Sequence, residues 1–537
     1  MKRIIFFFAC LFWLCSSSNA QVQIGGPLAN INGTVEGQEF IIFHTNSLSG
    51  SDSTLRATLG HFDVDNANLV EDESKHLDTF KTYDEKLLNV LSLDYDGDGF
   101  DEIVMAHQEK YRTATWVRLN FPVVSESNLN LSANNQNQSG LFAWPNGTNA
   151  PDRDPNIKLD KADINGDRKD EIVAMFRNAN GDFILQLLTV DMSSSQAYSI
   201  IVEQQIRQFF PDGNSAYEAF DLAVGDFDGD GKDDIAVAAI EEIAGLRSIY
   251  LKLYSVTPTN SFSGWTITEE VLASVVAIPA NANWENIALA AGNFDLGNPN
   301  RDMLALAFAY NDNSGGTPTM KHRLQMIEVN GPVGNELSAV VIGGIYNVAD
   351  VQNGNRPAVA LTAGDMNNDQ VDEFVVAFDA SFQVFAYNSP NLIPGAQGSG
   401  GQVPTNFYQL VDANNYIAIG DVDWDLQKDL LIVTTNDDGN ANTPEHYLRA
   451  QVFGINNSLD TFSLKDSKDL QTKAYAGSAN DYHYAATFGA FRGGRFNLLP
   501  PHQFQKQIFR PLVVNNSPPY HFDIIGNDTI DLFDCYA

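Results

Sequence analysis

The chain has 537 residues, a hydrophobic content of 44% and a formal net charge of −36 at pH 7. This length suits one large domain or two or three ordinary ones, and the hydrophobic content is that of a globular protein. The strong acidity excludes nucleic acid as an expected partner, because phosphate backbones are bound by basic side chains and no basic cluster is present.

The first twenty residues have the pattern of a cleavable signal peptide. A basic start at residues 1–3 precedes an apolar run at residues 4–15, and Ser18-Asn19-Ala20 is a small-residue cleavage site. The apolar run is too short to be a stable membrane anchor. We therefore expect secretion, cleavage after Ala20 and no membrane span in the mature chain. Cys535 is then the only remaining cysteine, so no disulfide framework is expected.

An acidic loop followed at once by an apolar strand occurs five times along the chain. The loops begin at Asp94, Asp163, Asp226, Asp365 and Asp421, and oxygen-bearing side chains stand at positions 1, 3, 5 and 9 of each. The predicted metal ligands are Asp94, Asp96, Asp98 and Glu102; Asp163, Asn165, Asp167 and Glu171; Asp226, Asp228, Asp230 and Asp234; Asp365, Asn367, Asp369 and Glu373; and Asp421, Asp423, Asp425 and Asp429.

Oxygen ligands at alternate positions are typical of a calcium site. Zinc and copper prefer Cys or His, which these loops lack, and magnesium prefers fewer protein oxygens. An EF-hand would need a Glu at position 12, where the five loops carry Met105, Ala174, Val237, Val376 and Ile432. Ordinary Asp/Gly turns are the alternative, but five copies with the same ninth-position acid favour about five structural Ca²⁺ sites, each between two strands.

This phrase resembles the FG-GAP repeat of the integrin α-subunit head and of bacterial secreted proteins, and it is similar to VCBS-type repeats. A small residue followed by Gly precedes three of the loops, at Val224-Gly225, Ala363-Gly364 and Ile419-Gly420. The other two loops follow Leu93 and Ala162 instead. The resemblance implies that each repeat is one blade of a β-propeller, with the calcium loop between two strands of the blade.

Three degenerate copies extend the series. One begins at Asn293 and continues through Asp295 and Gly297 to Asp302, with what we interpret as one extra residue. Another is the Phe488-Gly489-Ala490 frame, which lacks acids, and the third is the Leu59-Gly60-His61 frame. We expect no ion at the last two. The predicted fold is all-β, a seven-bladed β-propeller in which the N-terminal segment near residues 40–43 completes the blade begun by the C-terminal strands. The alternative is eight blades, with a short one around His61.

The expected organisation is a signal peptide at 1–20, the propeller at 21–515 and a tail at 516–537 that either ends the domain or begins a further module. No catalytic motif was found. We therefore favour a non-catalytic binding or adhesion module for an extracellular protein or glycan, and leave the oligomeric state open. A polysaccharide lyase or hydrolase is the alternative. Two insertions are candidate binding surfaces, residues 134–148 with Trp144 and residues 394–402.

Overall fold

The computed structural model describes residues 39–489 except for 49–51, 65, 77–85, 98–100, 112–113, 125–130, 134–138, 146–156, 168, 178–181, 191–197, 209–218, 244–245, 259–264, 280–281, 296, 298–300, 315–317, 331–336, 353–358, 379–380, 400–416, 424–426, 438–445 and 471–483. All 30 regular elements in these ranges are β-strands, so the all-β prediction is confirmed. In this part of the chain, no helix could cross a membrane. The signal peptide and the tail lie outside the described residues, as do residues 400–408 of the segment 394–408.

The strands of the N-terminal half are β1 (Glu39–Leu48), β2 (Asp52–Asp63), β3 (Asn68–His76), β4 (Lys86–Leu93), β5 (Glu102–Tyr111), β6 (Ala114–Asn120), β7 (Pro122–Val124), β8 (Leu131–Ala133), β9 (Ser139–Pro145), β10 (Ile157–Ala162), β11 (Glu171–Arg177), β12 (Asp182–Val190), β13 (Tyr198–Gln208), β14 (Phe220–Gly225), β15 (Asp234–Ile243), β16 (Leu246–Pro258) and β17 (Trp265–Ala277). The remaining strands are β18 (Ala282–Gly292), β19 (Met303–Asp312), β20 (Thr319–Asn330), β21 (Ser338–Gln352), β22 (Val359–Gly364), β23 (Glu373–Phe378), β24 (Ser381–Asn388), β25 (Asn391–Ser399), β26 (Ile417–Gly420), β27 (Asp429–Asp437), β28 (His446–Ile455), β29 (Phe462–Leu470) and β30 (Tyr484–Gly489).

Within the described ranges, these strands form seven four-stranded antiparallel sheets and one two-stranded ribbon, β7–β8. Five sheets use four consecutive strands in order, from β10–β13 to β26–β29. The sheet β4-β5-β6-β9 is interrupted by the ribbon. The last sheet combines both ends of the described chain in the order β3-β2-β1-β30. Sequential antiparallel pairing of this kind needs only short connections between neighbouring strands.

One edge strand of each sheet contacts the corresponding edge strand of the next. β4 contacts β10, and the series continues through β14, β18, β22 and β26 to β30, which contacts β4 again. The innermost strands therefore form a closed ring with one sheet extending outward from each. This is the arrangement of a β-propeller, in which radial repetition leaves only short, protected sheet edges.

Apolar side chains fill the spaces between neighbouring sheets. One cluster joins β10–β13 to β14–β17 and contains Phe183 and Phe220, whose rings meet edge to face at 4.9 Å. Between the sheets β18–β21 and β22–β25, Phe294 and Phe374 meet in the same way at 5.3 Å. Each large buried side chain contributes about 1.5–3 kcal/mol through burial. The sheets are thus held face to face by hydrophobic packing, and the loops lie at their ends.

The two ends of the described chain meet in a single sheet. The whole of β30 pairs with the first part of β1, with Phe40 opposite Phe488 and Phe43 opposite Ala485. The Leu59-Gly60-His61 frame lies within β2, so it belongs to this same sheet. In the described residues it builds no four-stranded sheet of its own.

Candidate metal centres

Each of the five acidic loops connects the innermost strand of a sheet to the second strand. The residue before position 1 pairs with the ninth-position acid in every copy. The pairs are Leu93 with Glu102, Ala162 with Glu171, Gly225 with Asp234, Gly364 with Glu373 and Gly420 with Asp429. The ninth acid is therefore the first residue of a strand, and its side chain lies beneath the loop that precedes it.

The third loop, residues 226–234, shows how the turn directs its carboxylates. Asp226 Oδ1 accepts from the backbone N–H of Gly229 (2.7 Å) and Asp230 (3.0 Å), while Oδ2 accepts from Gly231 (2.8 Å). Asp228 Oδ1 accepts from Asp230 N–H at 2.9 Å. Gly229 and Gly231 have φ of 77° and 83°, which glycine adopts without a steric penalty. The turn is thus built on its own acidic side chains.

Three loops gather carboxylate oxygens closely enough to share one ion. In each loop the chosen oxygens lie within 4.8 Å of one another, and the groups are Asp94, Asp96 and Glu102; Asp226, Asp228 and Asp230; and Asp421, Asp423 and Asp429. Calcium–oxygen distances of roughly 2.3–2.6 Å allow two ligands of one ion to be at most about 5 Å apart. The spacing of the oxygens in each group therefore suits a single cation. Asp98 and Asp425 lie outside the described residues.

The ninth-position acids of the second to fifth loops are buried where charge is costly, while Glu102 of the first loop is half-buried. Burial and then the neighbouring carboxylates raise the pKa of Asp234 to about 8, and the pKa values of Glu171 and Glu373 are also raised to about 8, mainly by burial. Among the described residues, Glu171 Oε2, Asp234 Oδ2 and, in the fifth loop, Asp423 Oδ1 are buried without a hydrogen-bond partner. A cation beside these oxygens would stabilise their ionised form. This is a second observation that fits a metal site.

The second and fourth loops differ from the third at position 3, where they carry asparagine. Asn165 Nδ2 donates to Glu171 Oε1 at 3.2 Å, and Asn367 Nδ2 donates to Glu373 Oε1 at 3.0 Å. The amide oxygen of Asn367 accepts from Asp369 N–H at 2.9 Å, as the carboxylate does in the third loop. These two loops therefore have one negative charge fewer and a hydrogen-bond donor close to the ninth acid.

The fifth loop contains a cation from the chain itself. Lys465, on the outermost strand β29, places Nζ 2.6 Å from Asp423 Oδ2 and 2.7 Å from Asp429 Oδ1. Burial lowers the pKa of Lys465, but Asp429 and Asp423 raise it by more, so its pKa is above the usual value. No sequence pattern indicates this contact, because Lys465 lies far outside the repeated phrase.

An acid at the eighth position links neighbouring loops, a role that the sequence reading missed. Its carboxylate accepts from the backbone N–H of the first residue in the loop of the preceding sheet, and its own N–H donates to that residue's carbonyl. We call this paired contact the interloop latch. The latches join Asp170 to Asp94, Asp233 to Asp163, Asp302 to Asp226 and Asp372 to Asn293, with carboxylate distances of 3.0, 2.7, 3.0 and 2.8 Å.

The fifth loop departs from the latch pattern as well. Lys428 occupies its eighth position, and only the backbone contact remains, from Lys428 N–H to the Asp365 carbonyl at 3.3 Å. The sequence did contain the signal for three of the latches, since an acid precedes the ninth-position acid in the second, third and fourth loops. Its role becomes evident only when neighbouring sheets are placed side by side.

The degenerate loop at Asn293 is longer than the sequence suggested. Gly292 pairs with Met303, so Met303 occupies the place of the ninth-position acid. Asp302 instead forms the latch to Asp226, as eighth-position acids do. The loop therefore has two extra residues, not one, because the interpretation from sequence counted Asp302 as if it aligned with the ninth position. A methionine at this place leaves the loop without its buried carboxylate.

The sheet that joins the two chain ends has a divided version of the same hairpin. Gly489 at the end of β30 pairs with Glu39 at the start of β1, just as Gly225 pairs with Asp234. Glu39 is buried and takes the register place of a ninth-position acid, although it comes from the other end of the chain. Ala490 and the residues after it lie outside the described part.

The two insertions considered as binding surfaces are partly strands. Trp144 lies in the edge strand β9, with its backbone opposite Thr115, and Pro394 lies in β25 opposite Phe385. Residues 139–145 and 394–399 are therefore strands, although insertions of this kind are expected to be loops. The orientation of the Trp144 side chain and residues 400–408 lie outside the described part of the chain.

No protein-family model matches this chain, and no curated protein matches it. Among solved structures, a Bacteroides fragilis protein described provisionally as a 6-phosphogluconolactonase is similar over 81% of this chain and 98% of its own, with 9% identity and a TM-score of 0.39. The six-bladed β-propeller lectin of Aleuria aurantia covers 73% and 98%, with 11% identity and a TM-score of 0.35. Chaetomium thermophilum Sqt1, solved with the N-terminus of ribosomal protein L10, covers 78% and 85%, with 10% identity and a TM-score of 0.35. Likenesses this distant assign no ligand or activity to this chain.

Proposed function

We propose that this protein is a secreted, seven-bladed β-propeller of the FG-GAP and VCBS type. Its acidic loops bind Ca²⁺, and its surface binds an extracellular protein or glycan without catalysing a reaction. When bound, Ca²⁺ would neutralise the loop carboxylates and cross-link each loop to the strand that follows it. The residues that would hold the ion are those at positions 1, 3, 5 and 9 of a loop.

The observation that carries this proposal is the recurrence of one buried acid at one register place. Asp234 and Glu171 each stand opposite the residue that precedes their loop, and each has a buried oxygen without a partner among the described residues. A buried carboxylate without a counter-charge destabilises the fold. The recurrence of such a carboxylate at the same place fits a role as a cation ligand. Extracellular calcium is abundant enough to fill weak sites, which agrees with the signal-like N-terminus.

The charge of the chain supports a neutral or basic ligand. Bound calcium would offset part of the net charge of −36, but the surface would stay acidic and would repel acidic polymers. Neutral glycans and basic protein surfaces are therefore the favoured ligand classes. This argument also disfavours the alternative of a lyase for acidic polysaccharides, since such an enzyme must attract a uronate carboxylate.

Native mass spectrometry of the secreted, full-length protein tests the metal sites. We expect several retained Ca²⁺ ions that EGTA removes, and a mature N-terminus at Gln21 by peptide sequencing. Protein that retains no Ca²⁺ after equilibration at millimolar Ca²⁺ would contradict the calcium assignment. An unprocessed N-terminus at residue 1 would contradict secretion through the proposed signal.

A glycan array read with and without EGTA tests the binding role. We expect binding to neutral glycans, or to a basic protein in a parallel pull-down with purified candidates, that weakens when calcium is removed. An absorbance assay for unsaturated uronates, run on the same preparation, separates the alternative. Turnover of any polysaccharide would overturn the non-catalytic assignment.

A further inference from the structure

We propose that the fifth loop holds no Ca²⁺ because the ammonium group of Lys465 occupies its cage as a permanent internal cation. This inference rests on the proposed calcium role of the other loops and deepens it. Lys465 Nζ is 2.6 Å from Asp423 Oδ2 and 2.7 Å from Asp429 Oδ1, which are position-3 and position-9 oxygens of this loop. An ion bridging the same two oxygens would have to lie where the ammonium lies.

A β-bulge directs Lys465 toward the cage. Val452 pairs with Asp466 and Phe453 pairs with Leu464, so Lys465 is the extra residue between two successive pairs of β28 and β29. A bulge leaves its extra residue unpaired and can re-aim that side chain relative to the strand. The lysine therefore reaches inward across the sheet, and its side chain is only 18% exposed.

A glycine on the intervening strand makes room for the lysine stem. A Cβ atom added to Gly454 would lie 2.8 Å from Lys465 Cε and 3.3 Å from Asp429 Oδ1. Such a contact is too short, so any larger residue would displace the lysine. Gly454 and Lys465 thus form a matched pair that carries a positive charge from the outer strand to the loop.

The same two places in other sheets carry no such pair. Gly454 follows the residue that pairs with the first strand residue after the ninth-position acid. The residue at this place is Thr189 in the sheet of the second loop and Ser255 in that of the third. The bulge residue that corresponds to Lys465 is Ile201 in the former sheet. In the latter it is Glu270. The internal cation is therefore a property of the fifth sheet alone among these three.

The fifth loop also differs at position 4, independently of Lys465. At that position Gly97, Gly166, Gly229 and Asn368 have φ between 60° and 77°. The fifth loop has Trp424 there. Large side chains rarely adopt positive φ, so Trp424 sets the fifth loop apart in sequence. Asp421, Asp423 and Asp429 nevertheless bring their oxygens within 4.8 Å of one another, so the lysine is what distinguishes this loop from the third.

Calcium counting on full-length variants tests the assignment. We expect native mass spectrometry to show one ion fewer than the number of acidic loops in the wild type, and no change in that count for Asp429→Asn. Lys465→Met should gain one ion, whereas Lys321→Met, which removes a lysine paired with Asp350 outside any loop, should gain none. A wild-type protein that loses one ion on Asp429→Asn would overturn the inference.

Thermal unfolding separates failure of this inference from failure of the calcium proposal. In calcium-free buffer Lys465→Met should lower Tm by several degrees more than Lys321→Met, because buried carboxylates then lack a counter-charge. Added Ca²⁺ should restore the lost Tm only in Lys465→Met. Equal Tm values for the two variants in calcium-free buffer would overturn the role of Lys465. Absence of Ca²⁺ from every variant would instead overturn the calcium proposal.

Discussion

The third and fifth acidic loops carry aspartates at the same four positions, yet they balance this charge in different ways. In the third loop, Asp226, Asp228 and Asp230 converge, and the exposed Lys232 pairs with Asp230 at 3.1 Å. In the fifth loop, Lys465 lies between two of the carboxylates. The difference shows that a repeated ligand pattern defines where a charge is needed, while a distant strand can decide what supplies it.

The two loops also differ in their contact with the preceding sheet. The third loop has a carboxylate latch from Asp233 to Asp163, whereas the fifth has only the backbone contact of Lys428. The third loop thus links to the preceding sheet through an acid, whereas the fifth has a lysine at that place and a second lysine, Lys465, paired with its own acids. We expect the third loop to depend on calcium and the fifth to be indifferent to it.

Removal of calcium should produce the largest effect. Ions that bind only the folded state stabilise it by mass action, and several sites lose their counter-charge together when the ions leave. We expect Tm to fall by ten degrees or more, on the order of several kcal/mol of unfolding free energy. Differential scanning calorimetry in millimolar Ca²⁺ and in EGTA measures this. Identical thermograms would count against every metal assignment made here.

A second large effect should appear as a pH dependence of the calcium-free protein. The pKa values of Glu171, Asp234 and Glu373 are raised to about 8 in the folded state, mainly by burial. The unfolded chain releases these protons near pH 4, so between about pH 4 and pH 8 the folded state binds more protons. Stability should therefore fall as pH rises through this window and level off above it.

Calcium should remove or reverse that trend, because the ion stabilises the ionised acids. The measurement is Tm from pH 5 to pH 8 in chelator-treated buffer, repeated with saturating Ca²⁺. A calcium-free Tm that rises steadily toward pH 8 would show that the ninth-position acids are ionised without any cation, and would remove the electrostatic reason for a metal.

Paired substitutions compare the two loops directly. Asp226→Ala combined with Asp230→Ala should remove one bound ion and a corresponding part of the calcium-dependent Tm increase. Asp421→Ala combined with Asp423→Ala should leave the ion count unchanged. Native mass spectrometry and calorimetry on both double variants give the comparison. Loss of one ion from each would mean that the loops are equivalent.

The interloop latch offers a smaller test that needs no metal. Asp233→Ala removes a carboxylate that accepts from the Asp163 N–H at 2.7 Å. Hydrogen bonds to charged groups are worth about 1.5–3 kcal/mol, and the cost should be near the lower end because burial already disfavours the charge of Asp233 and raises its pKa to about 6. Lys428→Ala, which leaves the backbone contact in place, should change stability by less than about 0.5 kcal/mol. Urea unfolding measures both, and equal costs would contradict a role for the carboxylate.

The sequence predicted those features that depend on local repetition. The ninth-position acids and the strands that follow them stand where the pattern placed them, since each hairpin is specified by neighbouring residues. The pattern could not reveal Lys465, because the contact depends on a bulge two strands away. Nor could it distinguish an acid that faces its own loop from one, like Asp302, that accepts a hydrogen bond from the preceding sheet. Such roles require sheets to be placed side by side.

The smallest predicted effect concerns the space around the lysine. Gly454→Ala would place a Cβ atom 2.8 Å from Lys465 Cε. The end of a lysine can move, so the expected cost is about 1 kcal/mol, well below that of Lys465→Met in calcium-free buffer. If the displaced ammonium leaves the cage, calcium should recover part of the lost Tm in Gly454→Ala but none in Ser255→Ala, the matched place in the third sheet. Calorimetry with and without Ca²⁺ checks this, and a calcium-insensitive Gly454→Ala would mean that Lys465 keeps its place by another route.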